Sequence, residues 1–551
     1  MNVNVHKVVS AVLLAVLLVS LPLVGACAKE VTSTPAAAPA VEPEAALEEV
    51  SAAPAEWSRD LRGWIEFLEA DGELHTITAK VPPDGEIQEI MRQMSARGPG
   101  GKAVLFENIE GYENTWCTKL FVGSLIFFDK ISLMLGLPKD TPLPATIEKI
   151  RETLRNPVAP VHLEGAEAEA APVKQNKITG ADIDINQLPV PTWHPQDGGR
   201  YINTWHAIVT KDPDTGEYNV GCYRGMIADK NHIVSLLVRS QHWGQHYTKY
   251  VARGEDMPVA IIYGWDPSLV FAAGNPVTTI NEWEWMGAIR GEPVPLVKCD
   301  TVDLEVPATA EIVFEGHVLI DPATYAWEGP VKEASGRYQD AELRPVIEIS
   351  HITYRDDPIY TGSAIGLAPI LEEQFIPIVP GMIAILREHL DNSGIPGVLD
   401  LTLKPFFAVQ IEKMYQGQAY QIACALYGHK SLNLPFKTLI VVEKEDVPNL
   451  ASTSDMMRAI DNNVDFREDL YVFPTNNAVI ESAVALEDLN IEEYGSGLGS
   501  KVLIDATVNW IRHPRLEKFD GARRAPTEPP PPADVAKVEE RWTEYGFPED
   551  Y

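Results

Sequence analysis

The stretch Ile202–Ile227 reads INTWHAIVTKDPDTGEYNVGCYRGMI, and the class of the fold turns on it. Ile202 to Val209 is rich in apolar and β-branched residues. Asp212-Pro213-Asp214-Thr215-Gly216 is a run of turn formers, and Tyr218 to Ile227 returns to strand-forming residues. Two such runs about a short polar turn predict a β-hairpin. Downstream, Val259 to Tyr263 and Glu311 to Val318 read as strands, the second alternating apolar and polar residues as a half-buried strand does. Between the hairpin and these strands, His242 to Arg253 reads as a helix. The middle of the chain is mainly β with helical excursions.

Working outward, the folded part begins near Trp57. Trp57 to about Asn156 mixes short strand-like runs with a helix over Ala145–Leu154, marked by Ile147, Ile150 and Leu154. Glu164 to Pro172 is low in complexity and reads as a linker or surface loop. A third block begins near His351. In it Ile370 to Leu390 is helix-like, with Pro377 and Pro380 kinking or interrupting it, and Leu439 to Val442 is a buried strand. Pro526 to Pro532 is extended, followed by a charged helix candidate, Pro532 to Tyr545. There is no internal repeat, and 551 residues at roughly 100–200 per domain suggest about three domains.

The first residues differ from the rest. Lys7, the apolar run Val8 to Val24 and the small residues Gly25-Ala26 before Cys27 follow the order of an export signal. Leu23-Val24-Gly25-Ala26-Cys27 resembles a bacterial lipoprotein cleavage box, in which Cys27 becomes the lipidated first residue. Lys29 to Ala55, rich in Ala, Pro and Glu, reads as a flexible tether. The competing reading is an uncleaved membrane helix, since the run is nearly long enough to span. No later run is comparably apolar.

The net charge of −34, from 45 Lys and Arg against 79 Asp and Glu, repels polyanions and excludes nucleic acid as a partner. An anionic ligand needs cations gathered locally. The five cysteines, Cys27, Cys117, Cys222, Cys299 and Cys424, have neither CxxC nor zinc spacing and read as small buried apolar residues.

Several motifs invite chemistry and meet a plainer alternative. His242 and His246 stand four apart on one helix face, but a zinc protease needs Glu after the first His, where Trp243 stands. Ala96-Arg97-Gly98-Pro99-Gly100-Gly101-Lys102 lacks phosphate-loop spacing, and with Gly495-Ser496-Gly497-Leu498-Gly499 it reads as a turn. Glu328-Gly329-Pro330-Val331-Lys332-Glu333 sets two carboxylates about a Gly-Pro turn that lets both converge on one cleft; taken alone, they are solvated glutamates. Arg224, in the second strand of the hairpin, is a carboxylate clamp or a structural ion pair.

Read together, these pieces resemble the UbiD family of prenylated-flavin-dependent (de)carboxylases. Asn219 to Arg224 resembles the family stretch running from a metal-binding Asn to a catalytic Arg. Gln241-His242 resembles its Gln-His pair, and Asn281-Glu282-Trp283 up to Ala288-Ile289-Arg290-Gly291 its segment with a third metal ligand. Leu296 to Thr301, Val306-Pro307-Ala308 and Glu315-Gly316 lead into Glu328–Glu333, close to the family's EGPFGE. Leu105 to Ile109 and Lys501 to Thr507 also match, so the likeness covers roughly Trp57 to His513 in order.

The resemblance implies an α+β and α/β multidomain fold. A central split β-barrel, flavin-reductase-like, would bind flavin over residues 181–350. It would be flanked by an N-terminal α/β domain over 57–180 and a C-terminal α/β dimerisation domain over 351–551, after a signal at 1–27 and a tether at 28–56. It implies reversible decarboxylation of an aromatic or α,β-unsaturated acid with prenylated FMN and Mn²⁺ or Mg²⁺, K⁺ being a further candidate ion. Arg224, Glu328 and Glu333 would be catalytic, and Asn219, His242 and Glu282 would hold the metal. Gly221, Cys222, Tyr223, Arg224, Gln241, His242, Gly274, Pro276, Glu282 and Lys430 would contact the cofactor. Arg224 would orient the substrate carboxylate, Glu328 would hold Arg224, and Glu333 would protonate carbon after CO₂ leaves. The partners implied are a small acid, a second copy in a homodimer or higher oligomer, and a flavin prenyltransferase as supplier. Val331-Lys332 replaces the family's Phe-Gly, and Lys332 could lower the Glu333 pKa. The rival readings are an envelope-anchored flavin protein without decarboxylase activity and a flavin reductase on the same barrel. Family enzymes are cytoplasmic, whereas the signal implies a cell-envelope lipoprotein; the alternatives are a cytoplasmic-side anchor or a cytoplasmic protein.

Overall fold

In the computed structural model the hairpin about Asp212–Gly216 is present. His206–Lys211 pairs antiparallel with Tyr218–Gly221, with Lys211 opposite Tyr218 and Ile208 opposite Gly221. The structure describes residues 56–96, 101–277, 280–332, 338–363, 375–403, 405–429, 436–477, 491–494, 497–524 and 531–548. The returning run does not continue as one strand to Ile227. It stops at Gly221, and Gly225–Ile227 begins a separate strand.

The reason is the strand order. A nine-stranded sheet with antiparallel neighbours runs from Tyr201–Asn203 through Gly225–Ile227, His232–Ser235, Val346–Tyr354, Ile312–Val318, Met257–Tyr263 and His206–Lys211 to Tyr218–Gly221; Asn176–Thr179 adds to Val346–Tyr354. Gly221 and Gly225 therefore sit toward opposite ends of the path, joined only by Cys222, Tyr223 and Arg224. Asn203 and His206 are joined across the same gap by Thr204 and Trp205. At about 3.8 Å per Cα step, the shorter link spans at most about 11 Å. The two ends must approach, so the sheet is curled into a half-barrel, although its end strands are not hydrogen-bonded to each other. One face carries buried Ile208, Ile261, Phe314 and Ile352, which are cross-strand partners, and the other carries Val209, Ala260, Ile262 and Val313.

On one side, Leu74–Ile77, Ala103–Phe106 and Lys119–Val122 form a sheet completed by Ile359–Gly362, which lies parallel to Lys119–Val122. The central strand Val346–Tyr354 runs straight across residue 350, where the sequence reading set a boundary, and the next strand returns to the N-terminal sheet. A buried carboxylate ties these parts. Glu311 accepts two hydrogen bonds from Arg62, both at 2.9 Å, and one from the Ile359 backbone at 3.2 Å, with Arg355 also 3.2 Å away.

Further along the chain, Val398–Thr402, Phe407–Ile411, Thr438–Glu443, Gly497–Asp505 and Leu470–Asn477 form a mixed sheet, and Leu439 to Val442 are buried in it as expected. Helix Phe375–Asn392 packs against this sheet and on Leu143–Arg155. It continues through Pro377 and Pro380 rather than being interrupted. Pro377 falls in the first turn, where a helix has no use for the missing N–H. The start expected at Ile370 lies outside the described residues.

Other expectations shift in detail. Glu164–Pro172 holds a short exposed helix, Gly165–Glu169. Gly497-Leu498-Gly499 is not a turn but the start of a strand, because it pairs with Thr475–Asn477. The charged C-terminal helix is shorter than expected and spans Pro532–Glu540. Cys117 is buried as expected and Cys222 and Cys299 are half-buried, whereas Cys424 is exposed, on the outer face of helix Gln418–Tyr427. The signal and tether lie outside the described residues, and no described helix is long and apolar enough to cross a membrane.

Candidate active site

Arg224 ends the three-residue crossing rather than lying within a strand. Its carbonyl accepts from Ser235 Oγ at 2.5 Å, and the next residue, Gly225, pairs with Asn203 on one side and Ser235 on the other. With its backbone held, the guanidinium meets Glu328: Nε and Nη2 donate to the two carboxylate oxygens at 3.0 and 2.9 Å. Nη1 donates to Gln339 Oε1 at 2.9 Å. Glu328 comes from Ala326–Glu328, paired with Glu342–Arg344, and Gln339 from Tyr338–Gln339, paired with Val331–Lys332. Tyr201 Oη donates to Glu328 Oε1 at 2.7 Å.

Glu328 is 1% exposed and Arg224 12%. Burial alone raises the Glu328 carboxyl. The Arg224 charge and hydrogen bonds, with the Tyr201 hydrogen bond and the Arg344 charge, overcome this and hold it below the usual carboxylate range. A carboxylate held ionised by three donors accepts hydrogen bonds and has no proton to give. Glu328 can therefore orient Arg224, and the proton donor must be another group.

A second set gathers at the other end of the crossing. Asn219, 3% exposed, donates from Nδ2 to Thr210 Oγ1 at 3.3 Å, which turns its Oδ1 the other way, toward Tyr223 Oη at 3.2 Å. Thr210 Oγ1 also bonds His246 Nδ1 at 3.0 Å. His246 thus faces Thr210, with Asp212 3.9 Å away. The Tyr223 ring stacks on Trp243, centroids 4.3 Å apart and planes 6° apart. Burial, and then the charge of Glu282, raise the Tyr223 hydroxyl, which stays protonated. Asn219 and the tryptophan after His242 therefore flank one ring, on which the Glu282 charge also acts.

The supporting elements are the helices His242–Arg253, Ser268–Gly274 and Glu282–Arg290. His242 is the half-buried first residue of His242–Arg253, and Gln241, exposed, precedes it. Glu282, 7% exposed, opens Glu282–Arg290, whose N-cap Asn281 accepts from the Trp283 backbone at 2.8 Å. Cys222 donates from its backbone to the Ala273 carbonyl at 3.3 Å, which brings the end of Ser268–Gly274, with Gly274 and then Pro276, alongside the crossing. Burial pushes the Cys222 thiol up to about 12. A Cβ on Gly221 would lie 2.5 Å from Tyr223 Oη, so any larger residue there would displace the stacked ring.

An amide oxygen, an imidazole and a buried carboxylate on such elements suit a hard divalent cation that takes further oxygens from a phosphate. The set holds only two of the His, Cys, Asp and Glu types, and among the described residues no group of three or more of those types could hold a metal. Glu333 and Lys430 lie outside the described residues. Sequence reading missed Tyr201, Gln339 and Thr210, and took up His246 only as half of a zinc-protease spacing. Tyr201, Gln339 and Thr210 reach the site through strand pairing, for which no local pattern exists.

Comparison with known proteins bears on this arrangement. Family models match three successive segments: the 3-octaprenyl-4-hydroxybenzoate carboxy-lyase N-terminal domain over residues 65–150, its Rift-related domain over 165–368 and its C-terminal domain over 396–506. Among solved structures, the chain is similar to the vanillic acid decarboxylase of Sedimentibacter hydroxybenzoicus in closed form, with 27% identity over 90% of this chain and 100% of that one and a TM-score of 0.78. It is also similar to an evolved dimeric form of the UbiD-class enzyme HmfF from Pelotomaculum thermopropionicum in complex with prFMN, with 26% identity over 82% and 95% of the two chains and a TM-score of 0.66. HmfF in complex with FMN matches at 25% identity over 87% and 99%, with a TM-score of 0.68.

Proposed function

The chain belongs to the UbiD family of carboxy-lyases, and from that premise we propose that it reversibly decarboxylates an aromatic or α,β-unsaturated carboxylic acid, using prenylated FMN and a divalent metal ion. The observation that carries the reading is the buried Arg224–Glu328 pair at one end of a three-residue crossing whose other end adjoins Asn219.

Loss of CO₂ leaves an electron pair on carbon, and prenylated flavin, when bound, supplies the sink for it that side chains lack. The remaining work falls to the chain. Asn219, His242 and Glu282 would hold Mn²⁺ or Mg²⁺, which offsets the flavin phosphate in a protein of net charge −34. Gly221, Cys222, Tyr223, Gln241, Gly274, Pro276 and Lys430 would line the flavin. Arg224 orients the substrate carboxylate, Glu328 keeps Arg224 in place, and Glu333 delivers the proton to carbon. We read the half-barrel as the flavin-binding split barrel and the C-terminal sheet as the dimerisation part.

The test is to express residues 29–551 with a flavin prenyltransferase, record the visible spectrum and released-cofactor mass, and assay Mn, Mg and K. Vanillic, benzoic and cinnamic acids are then offered as substrates. Prenylated flavin with stoichiometric metal and CO₂ release is expected, and Glu333→Gln should abolish turnover while sparing cofactor. Folded protein that takes up neither flavin nor metal would overturn the reading.

We also propose that Cys27 anchors the chain in the cell envelope, on the support of Lys7, the apolar run to Val24 and Gly25-Ala26-Cys27. In fractionated cells, Cys27→Ser should leave the membrane fraction. Its retention there would favour an uncleaved helix instead.

A further inference from the structure

The chain just before Tyr201 runs along the turn that carries Glu328 and touches it at alternate residues. Tyr201 Oη donates to the Glu328 side chain at 2.7 Å, the Gly198 N–H donates to the Pro330 carbonyl at 2.7 Å, and the Lys332 N–H donates to Asp197 Oδ1 at 3.1 Å. The other Asp197 oxygen accepts from the His194 N–H at 3.0 Å, which ties the carboxylate to its own strap. The approach at the middle contact leaves no room: a Cβ on Gly198 would lie 1.9 Å from the Gly329 carbonyl oxygen. The strap is itself fixed, since Trp193 Nε1 donates to the Tyr201 carbonyl at 2.9 Å. Tyr201 opens the strand paired with Gly225–Ile227, which starts directly after Arg224.

We propose that Tyr201 and Asp197 are positioning residues for the decarboxylation, fixing the Glu328–Lys332 turn so that Glu328 in turn aims Arg224. The inference rests on the reading of Arg224 and Glu328 given above. Its physical basis is the buried carboxylate. Oε1 of Glu328 is shared by Arg224 Nε and Tyr201 Oη, and Oε2 takes Arg224 Nη2. Without the phenol, a carboxylate that is 1% exposed loses a donor that water cannot readily replace. It then binds its proton more readily, and the neutral form grips Arg224 less firmly. Arg224, Tyr201 and Arg344 are the charged and titratable groups acting on Glu328. Lys332 is the charged side chain acting on Asp197, whose carboxyl burial pushes up to about 6.

The first measurement uses the full chain without added cofactor. Thermal unfolding is followed from pH 3 to pH 7 for the wild type and Tyr201→Phe, and the variant's deficit in stability at pH 7 should shrink as the pH falls, because its Glu328 takes up a proton more readily. The second uses chains loaded with prenylated flavin and Mn²⁺, with whichever of vanillic, benzoic or cinnamic acid the wild type turns over fastest. Tyr201→Phe and Asp197→Asn should each lower kcat by about 10- to 100-fold, as a small misplacement does, with KM and bound flavin unchanged. Wild-type kcat and no pH-dependent stability deficit in Tyr201→Phe overturn the inference. If Tyr201→Phe does not fold, a wild-type kcat in Asp197→Asn overturns it. Failure of the underlying reading looks different: Arg224→Ala would then match the wild type.

Discussion

At the scale of single residues, the site is a matter of one buried charge pair. Glu328 is held ionised against its burial by the charge and hydrogen bonds of Arg224, with the Tyr201 hydrogen bond and the Arg344 charge. Its folded pKa lies below the ordinary value, so its contribution to stability is present above the ordinary carboxylate range and is lost as pH falls through the folded pKa. Arg224→Ala leaves that carboxylate buried without its cation and should destabilise the protein by about 3–5 kcal/mol. Urea unfolding at pH 7 and pH 4 checks this, with a smaller loss expected at pH 4, where Glu328 can take up a proton. Arg224→Lys keeps the charge but not the two-pronged fork. It should reduce kcat/KM by about 100-fold or more, and steady-state rates of the loaded enzyme test it.

At the scale of elements, two strands of one hairpin orient the proposed metal ligand. Thr210 on His206–Lys211 holds Asn219 on Tyr218–Gly221 and, from behind, His246. Thr210→Val preserves shape and removes the oxygen. It should leave folding intact by circular dichroism while lowering metal affinity by about 10- to 100-fold, as loss of a supporting hydrogen bond does, read by metal titration. The hairpin itself was legible, because its turn residues and apolar runs are local. So was helix His242–Arg253, which has the bounds its spacing predicts. The break after Gly221 was not legible: Cys222 and Tyr223 favour strand as much as their neighbours do, and only the position of Gly225–Ile227 in the sheet ends the run. Arg224 and Glu328 could be singled out from motif likeness, yet Tyr201 and Gln339 could not. They are separated from their partners by 127 and 115 residues, and nothing in a local window reports such pairings.

At the scale of the whole molecule, Glu311 joins the N-terminal helix Leu61–Ala70, through Arg62, to the half-barrel and to the segment entering Ile359–Gly362. Glu311→Gln should lower stability by about 3 kcal/mol, as breaking a buried pair does. The urea midpoint, followed separately by tryptophan fluorescence and far-ultraviolet dichroism, tests this and shows whether these parts still unfold together. The crossings 204–205 and 222–224 carry a different consequence, one of timing. Neither can take its final path until strands from both ends of the sheet are in place, and the two ends are linked through the central strand Val346–Tyr354, which is remote in sequence. Contacts so far apart along a chain form slowly. Arg224, the proposed substrate clamp, is therefore among the last groups to arrive, and a chain still folding holds no assembled site. In pulsed hydrogen exchange during refolding, the amides of 222–225 should gain protection after those of the 206–221 hairpin.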